Sequence, residues 1–82
     1  YLDLTTATGS KIITLDVYAT AAQDFLLKIE TTLSGAAVTT EKGFSHTGTG
    51  WETIPVDFNS PNTGQPIPDD QFKLLVIFTF LF

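Results

Sequence analysis

Three stretches of this chain alternate apolar and polar residues with period two. In "KIITLDVYA", Ile13, Leu15 and Val17 fall on one face, and Ile12, Thr14, Asp16 and Tyr18 on the other. In "FLLKIETTL", Phe25, Leu27 and Ile29 oppose Lys28, Glu30 and Thr32; in "WETIPVDF", Ile54, Val56 and Phe58 oppose Thr53, Pro55 and Asp57. Alternation of this kind is the mark of a β-strand with one face on a core, because successive strand side chains point to opposite sides. The competing helix is "AAQDFLLKIETTL", and β-branched residues crowding its second half argue against it. Fourteen threonines against four serines fit the same reading, since threonine suits a pleated, half-buried surface. The chain is expected to be all-β.

Turn signals divide it. "YLDLTT" reads as the tail of a strand, and "ATGS" as a turn in which Gly9 takes positive φ. "TAAQD" is a loop or one short helical turn. Ser34-Gly35 turns the chain back into "AAVTTEK", which makes 25–42 a hairpin. "GFSHTGTG", with three glycines in eight residues, is expected to be a loop. Pro55 lacks a backbone donor, so either its strand lies at an edge or the proline sits where no ladder bond is needed. "NSPNTGQPIPDDQ" is a long polar loop, of the length that is usually functional or disordered. Strands at this spacing predict an antiparallel β-sandwich or small barrel. The 82 residues make one small domain, 1–82, of marginal stability.

The chain ends on "FKLLVIFTFLF", an apolar run too short for a membrane helix, which needs about 20 residues. As a transmembrane β-strand it lacks polar alternation: in the set Lys73, Leu75, Ile77, Thr79 and Leu81 only two residues are polar. Outer-membrane barrels also begin at about eight strands, more than this chain supplies. Exposed, the run would be prone to aggregate. The reading that remains is a strand buried on both faces inside a sheet. A start at Tyr1 without methionine, and an end on such a strand, predict a fragment of a longer protein whose sandwich is incomplete as given. A neighbouring chain donating a strand would also complete the sheet.

Charge and composition narrow the partners. The net charge is −5, arginine is absent and the four lysines are scattered, so nothing offers the clustered cations that bind nucleic acid. An anionic membrane surface is not expected as a partner for the same reason. An acidic surface suits neutral partners, uncharged sugars among them. The absence of cysteine removes disulfides, cysteine-type zinc sites and thiol nucleophiles.

"KIITLDVYATAAQDFLLKIE", "TGWETIPVDF" and "FKLLVIFTFLF", in that order and spacing, resemble the core of carbohydrate-binding modules of galactose-binding-like, jelly-roll fold. Such modules occur in secreted polysaccharide-degrading proteins of Bacteroidetes. There an "I-T-L-D-V-Y" strand precedes "L-L-K-I-E", then "G-W-E-T-I-P-V-D-F", "L-V-I-F", a glycine-rich turn and a last strand near "Y-Y-I-D-N-I". The first strand or two and that last strand are missing here. The resemblance implies an extracellular or cell-surface protein that binds a neutral or algal polysaccharide without catalysis. The alternative it leaves is a structural spacer in an adhesin or filament, abutting neighbouring domains or copies of the same chain. It carries over no matched set of ligand residues.

Candidate chemistry is sparse. Glycoside hydrolysis needs two carboxylates roughly 5 to 9.5 Å apart, and the pairs on offer are Glu30 with Glu41 and Asp16 with Asp57. Ser45 and His46 are adjacent, with no "GxSxG" elbow around them. No enzyme is expected. Asp69 and Asp70 are the candidate ligands of a structural calcium, without the "DxDxDG" spacing of a dedicated loop. Sugar recognition would use an aromatic face and nearby polar groups. Trp51, at a strand start, either packs at the rim of the core or binds ligand. Tyr18, outward at a strand end, is expected to line a binding surface, and His46 in the glycine-rich loop either joins them as a ligand contact or is only a solvated residue without a partner.

Overall fold

The computed structural model describes residues 1–79. Its strands are β1 (Leu2–Asp3), β2 (Ile12–Ala19), β3 (Gln23–Thr32), β4 (Thr39–His46), β5 (Gly50–Asp57) and β6 (Gln71–Thr79). All pairings are antiparallel, giving a four-stranded sheet of order β1-β6-β3-β4 and a two-stranded sheet of β2 with β5. The expected all-β, antiparallel β-sandwich is what forms.

The alternation explains the layering. In β2 and β5, Ile13 lies opposite Val56 and Leu15 opposite Ile54, and these inward residues meet Leu27 and Ile29 of β3 and Phe72 of β6. Leu4 and Phe58 complete the buried core between the sheets. Outward positions Thr14, Asp16 and Tyr18 are exposed, as the period requires. Pro55 faces Thr14, and β5 has no strand neighbour on its other side among the described residues, so the missing donor costs no ladder bond.

The long loop after β5 is ordered against β4. Asn62 donates its amide to the Glu41 carbonyl at 2.9 Å, and its side-chain oxygen accepts from the Gly43 amide at 2.9 Å. The Thr40 hydroxyl donates to the Pro66 carbonyl at 2.7 Å. The loop thereby occupies the outer edge of β4, which would otherwise invite another strand.

Several sequence expectations are corrected. "GFSH" is not loop: Gly43 to His46 complete β4, opposite Leu26, Phe25, Asp24 and Gln23. The loop proper is confined to 47–49, because pairing with β3 and the approach of Asn62 override the low strand propensity of glycine. The return strand begins at Thr39 rather than Ala36. Of the two readings of "TAAQD", the loop holds over 20–22 and the helical turn does not form, while its last two residues open β3. Thr32 is buried rather than outward, because Thr31 adopts a left-handed φ of 64° and breaks the alternation before it.

The largest correction concerns β6. It is central only at its start, where Leu2 pairs with Phe72 and Asp3 with Gln71. From 73 to 79 its partner among the described residues is β3 alone, and Leu74, Ile77 and Phe78 are exposed. The strand is therefore not buried on both faces. Phe80, Leu81 and Phe82, the end of the apolar run, lie outside the described residues.

Candidate functional site

The chain makes aromatic cross-strand pairs on opposite sides of its layers. Phe25 and Phe44 stack with centroids 5.2 Å apart, and Phe44 packs against the core. Tyr18 and Trp51 are direct partners across β2 and β5, but on the solvent face. Their centroids are 5.4 Å apart, with the planes at 60°. Trp51 is 72% exposed and Tyr18 58%, so neither ring belongs to the core. An exposed pair of this size is unusual for residues that normally bury their rings.

Polar groups stand beside the rings. The Thr53 hydroxyl donates to Asp16 Oδ1 at 2.7 Å, one cross-strand step from the aromatic pair. Asp16, Trp51, Glu52 and Thr53 line a shallow groove of ≈ 430 Å³. One carboxylate is thus fixed by a neighbour and keeps its remaining lone pairs toward solvent.

Glu52 is the residue the sequence reading missed. Its carboxylate accepts from the Thr47 amide at 2.8 Å and from the Thr47 hydroxyl. The hydroxyl bond above all holds its pKa below the ordinary 4.5, against partial dehydration, with help from the Thr47 amide, His46 and the Gly48 amide. Its signal was available: an acid at an inward position of an alternating strand needs partners.

His46 is not the solvated loop residue expected. It ends β4 with its side chain fully buried, Nε2 2.8 Å from the Val17 carbonyl, and Nδ1 accepting from the Gly48 amide at 2.8 Å. Nδ1 also lies 3.0 Å from Glu52 Oε2. A neutral ring accepts from the amide; a protonated ring would donate to the carboxylate instead. The structure brings Tyr18 and Trp51 together and sets His46 beneath the surface, linked to the groove through Glu52.

The remaining candidates are committed elsewhere. Asp57 lies opposite Ile12, and Asp16 is four residues further along β2, about 13 Å at strand rise, beyond the span of a hydrolytic pair. Glu41 faces Lys28, whose ammonium is 3.5 Å from Glu30, so a cation stands between those acids. Ser45 donates to Asp24 at 2.7 Å and is exposed, while His46 is buried on the opposite side. Asp69 accepts from the Thr6 amide at 2.7 Å and Asp70 from the Gln71 amide at 2.7 Å. Among the described residues no three histidine or acidic side chains are placed to hold a metal ion.

No protein-family model matches this chain, and a search of curated proteins finds no match.

Proposed function

We propose that this chain is a non-catalytic carbohydrate-binding module of jelly-roll, galactose-binding-like type, working outside the cell. The observation that carries the reading is the exposed Tyr18–Trp51 pair on the solvent face of β2 and β5. Aromatic rings stack on the C–H faces of sugars, and the adjoining Asp16 and Thr53, outward on the same face, supply oxygens for the hydroxyls. The sequence resemblance described above points the same way.

Affinity electrophoresis through gels containing β-glucan, agarose, carrageenan, alginate and xylan tests it. Retardation by at least one polymer is expected. Trp51→Ala should weaken that binding at least tenfold, about 1.4 kcal/mol, and Tyr18→Ala less, with circular dichroism unchanged because both side chains are exposed. A structural role in a surface adhesin or filament is the competing reading, favoured by the edge of β6, which over 73–79 pairs with β3 alone among the described residues. Free migration in every gel would decide for it.

A further inference from the structure

The groove beside the aromatic pair has a sign and a shape, and each narrows the glycan beyond the reading above, on which this inference rests. Of its lining residues, Asp16 and Glu52 are carboxylates and none is a cation. Asp16 stands on the solvent face beside the rings, whereas Glu52 turns its carboxylate inward to Thr47 and His46 and adds its charge from behind the sheet. Lys11 is buried, and Lys28, Lys42 and Lys73 all stand on the four-stranded sheet, Lys28 ion-paired there with Glu30. Sulfated and uronate chains would set like charges against these carboxylates with nothing to neutralise them. Hydroxyl groups meet acceptors in the same place, and hydrogen bonds to an ionised acceptor are the stronger kind.

The ring geometry adds the shape. With planes at 60°, no flat ribbon can lie on both rings at once. The pair forms a corner, which suits a chain that curves past one ring and along the other.

We infer that the Tyr18–Trp51 corner takes an uncharged, curved glycan and excludes both polyanionic chains and flat ribbons, with Asp16 as the residue that enforces the charge selection.

Equilibrium binding to immobilised polysaccharides tests this. The probes are a soluble β-1,3-glucan and agarose as curved neutral chains, κ-carrageenan and alginate as polyanions, and insoluble cellulose as the ribbon. At 20 mM NaCl we expect at least fivefold tighter binding to a neutral curved chain than to either polyanion or to cellulose. In 500 mM NaCl the Debye length falls to about 4 Å, and the gap to the polyanions should narrow. Asp16→Asn keeps an acceptor for Thr53 and should narrow the gap at low salt. Asp24→Asn, which changes net charge equally on the other sheet, should leave the gap wide. Equal effects of the two variants would assign the exclusion to net charge and overturn the role of Asp16. Binding to carrageenan or alginate as tight as to the neutral chains overturns the charge selection, and equal binding to cellulose the shape selection; the binding function survives both. Binding to no probe sinks the carbohydrate reading, and this inference with it.

Discussion

Glu52 occupies an inward position of β5 where the alternation would place an apolar side chain, and the turn between β4 and β5 is built around it. Thr47 donates twice to its carboxylate, and His46 and Gly48 close the cluster from the other side. Because its folded pKa lies below 4.5, chiefly through the Thr47 hydroxyl, the folded state favours the ionised form more than the unfolded chain does. The resulting stability is fully present above pH 4.5 and is lost as pH falls through the folded value. Asp69 behaves alike: the Thr6 amide lowers its pKa below 3.8, so its contribution disappears at still lower pH. Glu52→Gln should therefore be less stable than the parent at pH 7, and should lose less stability between pH 5 and 3. Urea midpoints measured across that range check the prediction. Parallel curves for the two proteins would mean that the carboxylate charge is not what organises the turn.

Two glycines with nearly equal φ separate backbone strain from steric collision. Gly9 (φ 82°) ends a short 3₁₀ turn, and a Cβ there would meet nothing within 4 Å. Gly48 (φ 87°), in the β4–β5 turn, would place a Cβ 2.3 Å from the Ala21 carbonyl carbon and 2.4 Å from the Ala22 amide nitrogen. Gly9→Ala should cost about 1–2 kcal/mol, the ordinary left-handed penalty. Gly48→Ala should cost more than about 3 kcal/mol, because backbone rather than a movable side chain stands in the way. Thermal melts of the two variants compare them directly. The sequence disclosed Gly9 as a turn residue from "ATGS" alone, and it disclosed the faces of β2 and β5 from their unbroken alternation. It disclosed β4 as far as Lys42 and hid the second half, whose glycine and serine residues lack strand character and are held by Asn62 and by β3. The outward aromatic pair was half legible. Tyr18 followed from its phase in β2, whereas the phase of Trp51 was clear only relative to Ile54 and Val56. His46 and Glu52 depended on a contact between strands that spacing does not encode. Over 73–79 β6 pairs with β3 alone among the described residues, and such an edge is a liability of the element as a whole. Leu74 is exposed and lies opposite Glu30 in the ladder. Leu74→Lys should blunt that edge and add a cross-strand charge pair worth about 0.2–1 kcal/mol. Light scattering on concentrated samples should show less self-association at unchanged melting temperature.

At the scale of the molecule, one buried cation joins segments far apart in sequence. The Lys11 ammonium donates to the carbonyls of Leu4 and Pro68, each at 2.5 Å, with Asp69 Oδ1 at 3.8 Å. Its backbone carbonyl accepts from the Phe58 amide at 2.9 Å. Lys11 therefore holds both ends of the long loop, Phe58 at its start and Pro68 near its close. The Leu4 amide, bonded to the Asp70 carbonyl at 3.0 Å, adds the end of β1 to the same knot. This arrangement connects the two sheets away from the aromatic corner, since Lys11 leads into β2 and Gln71 begins β6. Replacing a buried charged group by an apolar one can be neutral when its partners are replaced with it. Here the carbonyls of Leu4 and Pro68 would remain, with their acceptors stripped of a charged donor. Lys11→Met preserves the stem and removes the donors, so it should cost about 2–4 kcal/mol, from two acceptors at roughly 1–3 kcal/mol each with partial rehydration. The urea midpoint should fall with little change in slope, and limited proteolysis should cut within 61–67 before the strands. A loss below about 0.5 kcal/mol, the range of an ordinary surface substitution, would show that the loop is held by Asn62 and β4 alone. The sheets would then be joined by their apolar core without this polar tie.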